Sequence, residues 1–164
     1  MNELAQALIG ESAHAAPAHI LEALPEELSH RAVPGAPRTI YQELWHLAFW
    51  QQITLDWISG IETPYPAKTT DPFPTEAQSA AEPWPQLCRR FLEGAQLAAS
   101  AAGDASRLAN IVRCTSRRGQ PLRLMSVQDQ LTSLAAHNAY HFGRLVLLRQ
   151  LLGAWPPPSG GFTW

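Results

Sequence analysis

Two histidines four residues apart, His137 and His141, are the part of this sequence best equipped for chemistry. In a helix, residues at that spacing share a face with Cβ atoms about 5–6 Å apart, so both imidazoles can reach a common point. Leu134 and Asn138 precede His141, and Leu145 and Leu148 follow it, which turns this face toward the interior. Two buried imidazoles need partners for their ring nitrogens and would repel one another if both were protonated. A divalent cation answers both needs by taking one lone pair from each ring. A single histidine on an apolar stripe is ordinarily a hydrogen-bonded core residue, and a bare His-x₃-His pair is weak evidence. A third ligand from another helix is therefore required. His46, set among Leu44, Leu47 and Phe49 with Trp45 and Trp50 nearby, is the natural source. His14 and His19 fall in a broken first helix and His30 in a polar stretch, so these three read as surface or boundary residues.

The elements that must position the trio are legible from periodicity and capping. Leu4, Ala7 and Leu8 form a weak helical stripe that Gly10 interrupts, and a second piece runs from Pro17 to Leu24. Thr39 with Gln42 three residues on is a capping-box pattern, opening a helix through Ile40, Leu44, Leu47, Leu55 and Ile58 that Gly60 stops. Pro64, Pro66, Pro72, Pro74, Pro83 and Pro85 mark a long irregular connection. Trp84, Leu87, Phe91, Leu92, Ala95 and Ala98 then repeat at helical spacing as far as Gly103. Ile111–Thr115 and Leu122–Leu124 flank Arg118-Gly119 as a short hairpin would. Ser126 with Asp129 begins the last helix, which reaches Gly153 before Pro156-Pro157-Pro158. Four principal helices joined by long connections predict an all-α bundle in one domain over residues 1–164.

The bulk numbers narrow the function. With 46% hydrophobic and 16% charged residues in 164, the chain is of a globular type, and its net charge of −2 points to neither a nucleic-acid nor an anionic-membrane partner. There is no basic-then-apolar leader and no run of about 18 apolar residues, so a cytoplasmic protein without a membrane span is expected. Cys88 and Cys114 are far apart and in no CxxC pattern, which argues against a cysteine metal site. GxSxG, P-loop and GxGxxG motifs are missing.

Across nearly its whole length the chain resembles the DinB/YfiT-like metalloenzymes. The resemblance is carried by Thr39 to Gln51, by His137 to Arg144 and by Leu147 to Pro156. One histidine in the second helix and a His-x₃-His in the last make up that family's metal triad, and His46, His137 and His141 occupy all three positions. The resemblance implies an up-down-down-up four-helix bundle, often a homodimer, holding one divalent ion such as zinc, nickel or iron. It also implies a thiol S-transferase, in which a low-molecular-weight thiol such as bacillithiol, mycothiol or glutathione attacks a small electrophile.

Three neutral ligands leave the charge of a divalent ion uncompensated and coordination positions open, the pattern of a reactive site. Metal-assisted hydrolysis uses the same ligands, and a non-catalytic dimeric stress-response or ligand-binding module is the alternative from another class. A di-metal carboxylate site needs Glu-x-x-His twice; Glu43-Leu44-Trp45-His46 supplies one copy, while Leu134 and Asn138 stand where the second needs glutamates. Glu43 offers an acceptor for an imidazole N–H, against the more ordinary reading of a solvated helix residue. Trp50, Asn138 and Arg144 are expected to contact substrate, with Arg144 as a clamp for a carboxylate or phosphate; core packing for Trp50 and an acidic neighbour for Arg144 are the ordinary readings. Arg113, Arg117, Arg118 and Arg123 read as the solvated face of the hairpin.

Overall fold

The computed structural model describes residues 1–10 and 12–160, so most of the end Ser159-Gly160-Gly161-Phe162-Thr163-Trp164, whose glycines and aromatics the sequence offers for docking over a pocket mouth or on a partner subunit, lies outside the described residues. Seven helices and two strands occupy the described residues: α1 (Glu3–Ile9), α2 (Pro17–Leu21), α3 (Glu26–Ser29), α4 (Ile40–Ile58), α5 (Glu76–Ala81), α6 (Trp84–Gly103), β1 (Ile111–Cys114), β2 (Arg123–Ser126) and α7 (Val127–Leu151). The protein is mostly helical, as expected, with three long helices instead of four. The first expected helix is divided into α1, α2 and α3. Gly10 closes α1, the backbone turns extended at Glu22, Ala23 takes φ +50°, and Pro25 begins the next turn.

Local signals account for the ends of the long helices. Thr39 Oγ1 accepts from the Gln42 N–H and the Gln42 side chain accepts from the Thr39 N–H, a complete capping box on α4. Ser126 Oγ accepts from the Asp129 N–H at the start of α7. Gly60 and Gly153 take φ of +82° and +68° just beyond α4 and α7, where a side chain would be strained. The proline-rich connection is less irregular than its composition suggests. A second capping box, Thr75 with Gln78, opens α5 inside it.

α4 packs against α6 and α7, and α1 packs against the same two helices, so the long helices share a continuous interior. Tyr41, Leu44, Leu47, Leu87, Phe91, Phe142 and Leu145 form its larger part. Leu8, Ala98, Ala102, Val127 and Leu131 form a second part, under α1. Two polar groups stitch the core. Gln51 Nε2 donates to the Phe91 carbonyl across α4 and α6, and the buried Arg149 guanidinium donates to the carbonyls of Ile20 and Ala154. β1 and β2 pair antiparallel in the register Ile111–Ser126 to Cys114–Arg123. The hairpin lies on α4 through Cys114, which packs with Ile53 and Trp57. Thr115 Oγ1 and Trp57 Nε1 both donate to the Thr63 carbonyl, and Arg113 pairs with Glu62, so the chain leaving α4 is tied to the hairpin.

Because α4 carries one of the three histidines, its cap has consequences beyond the helix end. Thr39→Ala is expected to cost about 1 kcal/mol, read as a lower urea midpoint at unchanged slope.

Candidate metal centre

His46 on α4 faces His137 and His141 on α7. Contacts run in opposite directions along the two helices, since Glu43 meets His141 and Arg144 while His46 meets His137 and His141; α4 and α7 are therefore antiparallel here. The ring centroids of the three histidines lie 4.6–5.2 Å apart. One nitrogen from each ring can be chosen so that all three atoms fall within 4.8 Å of one another. His141 is buried, and His46 and His137 are half-buried.

Hydrogen bonds decide which nitrogen each ring presents. The Pro72 carbonyl can only accept, so His46 Nδ1, 3.1 Å away, carries the proton, and Nε2 of the neutral ring is a lone pair. His141 Nδ1 lies 2.7 Å from Glu43 Oε2 and donates to that carboxylate, so Nε2 is the nitrogen left available to a ligand. His46 Nε2 and His137 Nε2 approach to 3.2 Å. Two imidazole nitrogens on one tetrahedral zinc ion stand roughly 3.3–3.4 Å apart, given Zn–N bonds of about 2.0–2.1 Å. The observed separation fits a shared ion closely. His137 Nδ1 is buried with no partner among the described residues.

Burial, followed by repulsion from His141, lowers both His46 and His137 to about 4, against the Pro72 hydrogen bond at His46 and the Glu43 charge at both rings. Both rings are thus neutral near pH 7 and need no deprotonation to act as ligands. Glu43 is only 1% exposed. Burial raises its carboxyl, but the His141 hydrogen bond and the charges of Arg144 and the histidines outweigh this and hold it below the usual carboxylate range. Its other oxygen pairs with Arg144 Nη2 at 2.7 Å. The solvated reading of Glu43 is thereby overturned: it is the buried acceptor that orients His141 and anchors Arg144.

The ordinary histidine value is 6.5, and the folded value of His46 and His137 is about 4. Between these limits the unfolded chain binds protons that the folded chain excludes, so folded stability falls as pH drops through the window. Metal-free protein is expected to show a lower urea midpoint at pH 5 than at pH 7, and His46→Gln/His137→Gln should flatten that difference.

The other expected contact residues are distributed differently. Trp50 lines a cleft of about 450 Å³ together with His46, Tyr65, Lys68, Pro72, Arg117 and Arg118. Arg144 is held by Glu43 and borders another depression, between α7 and residues 34–38. Asn138 is fully buried, and neither polar atom of its side chain has a partner among the described residues. Sequence reasoning missed the Pro72 carbonyl and the Phe73 ring, which stacks on His46 at 4.6 Å and 14° and carries Arg38 4.4 Å from its ring centroid. A main-chain carbonyl leaves no residue-type signal, although the proline-rich stretch did mark where the covering connection lies. Arg117 and Arg118 are exposed, as expected of a hairpin face, but they also border the cleft.

The DinB superfamily model matches residues 11–145, a span that contains all three histidines and Glu43. The chain belongs to the DinB superfamily. No curated protein matches it significantly. Among the described residues, no helix is long and apolar enough to cross a membrane.

Proposed function

We propose that this chain is a metal-dependent enzyme of the thiol S-transferase class, using one divalent ion held by His46, His137 and His141. The observation that carries this reading is the convergence of three imidazole donors, two of them locked by Pro72 and Glu43 in the tautomer that aims a lone pair at the common centre. When bound, a divalent ion supplies the charge that converts a thiol to thiolate near neutral pH. In the transfer, the thiol loses its proton, a sulfur–carbon bond forms, and the leaving group departs with the electron pair of its bond to carbon. The chain's own groups prepare this. Glu43 strengthens His141 as a donor by accepting its Nδ1–H, Phe73 and Trp50 shield His46, and the cleft beside His46 admits a small molecule. That access favours catalysis over a purely structural metal role.

Within this reading, the helices complete the up-down-down-up four-helix bundle, the protein works in the cytoplasm, and two copies pair. Exposed Leu147 and Leu151 on α7 offer an apolar surface for that pairing. Protein purified without added metal should contain about one divalent ion per chain and should consume bacillithiol, mycothiol or glutathione in the presence of an electrophile. Absence of metal, with stability indifferent to chelation, sinks the metal reading. Metal without turnover on any thiol sinks the transferase assignment and favours hydrolysis or ligand capture.

A further inference from the structure

The geometry points to a small anionic ligand as the molecule that enters beside His46: a carboxylate, sulfonate or phosphate joined to a planar or apolar body. This deepens the proposed function and rests on it for the site's chemistry. The cleft has two kinds of wall. Trp50 and Tyr65, with ring centroids 5.3 Å apart, give it an aromatic side next to His46. Lys68, Arg117 and Arg118 give it three cations, and none of the three makes an ion pair among the described residues.

On the hairpin, Arg123 is likewise without an ion pair among the described residues, but it lies over Trp57, 5.9 Å from the ring centroid, and does not line this cleft. Arg113, on the strand, is neutralised by Glu62, whereas Arg117 and Arg118 in the turn have no such partner. The nearest acid in sequence to Lys68 is Asp71, whose carboxylate accepts from the Lys68 backbone N–H and so closes its own turn. Three uncompensated cations around a concavity, in a chain of net charge −2, concentrate positive potential at one place. The aromatic wall suits a flat or apolar body, and guanidinium groups suit an oxyanion.

The placement follows from the fold. Thr63, two residues before Tyr65, is held by Trp57 and Thr115, so the segment carrying Tyr65 and Lys68 and the turn carrying Arg117 and Arg118 are anchored to the same point on α4. An anion on these cations leaves the rest of the ligand directed along Trp50 toward His46. Arg144, the clamp expected from sequence, is already committed to Glu43.

The test titrates the full-length protein, as purified, with naphthalene-2-sulfonate, a planar anion that coordinates metals poorly. Methyl 2-naphthyl sulfone serves as its uncharged counterpart, and tryptophan emission is the readout. The inference expects saturable quenching by the sulfonate, at least tenfold weaker binding of the sulfone, and progressive loss of sulfonate binding as salt rises. Arg117→Gln/Arg118→Gln should weaken sulfonate binding at least tenfold, with an unchanged circular dichroism spectrum. Lys68→Gln provides an independent variant expected to act in the same direction, and Trp50→Phe should remove most of the quenching. Equal binding of the two probes, no binding of either at millimolar concentration, or an unaltered affinity in both cation variants overturns the inference. Metal analysis of the same samples separates the two readings. Charge-selective binding without metal keeps this inference and overturns the metal centre, whereas metal with equal probe binding overturns this inference alone.

Discussion

His137→Ala is expected to reduce retained metal from about one ion per chain to a trace, with the fold preserved. Structural zinc sites with four ligands bind with roughly 10–16 kcal/mol, or about 3 kcal/mol per ligand. Losing one of three ligands therefore costs roughly two orders of magnitude in affinity or more. The fold should survive because His137 is half-buried and packs beside the other two rings, outside the main apolar core. In metal-free protein, the substitution also removes a buried nitrogen that lacks a partner. Elemental analysis after gel filtration and the rise in melting temperature on adding zinc measure the effect. His46→Ala and His141→Ala should lose metal to a similar extent, and His141→Ala should also lower stability by leaving Glu43 without its imidazole partner. A His137→Ala protein that keeps full metal and the full zinc-induced thermal shift would exclude the trio as the binding site.

Glu43→Ala is expected to weaken metal binding by about 10- to 100-fold and to destabilise the metal-free protein by about 2–3 kcal/mol. Two groups lose their partner at once: the Nδ1–H of His141 and the guanidinium of Arg144. The Arg144 side chain is 32% exposed and can turn to water, which holds the cost below the roughly 3–5 kcal/mol that breaking a fully buried pair entails. Glu43→Gln keeps an acceptor for His141 but no charge for Arg144, and should fall between the parent and Glu43→Ala on both measurements. Zinc competition against a chromophoric chelator and urea unfolding read the two effects separately. Parent-like affinity and stability in Glu43→Ala would show that the carboxylate is idle.

Both outcomes turn on contacts whose legibility in the sequence was uneven. The His137–His141 pair was readable because a helix puts residues four apart on one face whatever surrounds it. The Thr39–Gln42 box and the Ser126 cap were readable for a similar reason, since each uses groups within one turn. The break of the first helix into α1, α2 and α3 was only half legible. Gly10 and Pro17 announced it, but Ala23 at φ +50° did not, because alanine carries no signal for that conformation. α5 was overlooked among the prolines, although its Thr75–Gln78 box is the same local device as that of α4.

The trio itself divides along this line. Residue type and spacing singled out His137 and His141 and offered His46 as the third ligand, and the family pattern joined them as one set, because ligand chemistry and helical period are local properties. Tertiary packing alone decided the rest. It set α4 antiparallel to α7, brought the His46 and His137 nitrogens to 3.2 Å, and buried Glu43 against His141 and Arg144. It also moved the free cations from Arg144 to Lys68, Arg117 and Arg118. The meetings of α4 with α7 join residues 91 and 98 positions apart, and the last outcome joins two separate segments, one with Lys68 and one with Arg117 and Arg118. No local rule of the chain encodes such meetings; they follow from which apolar faces bury one another.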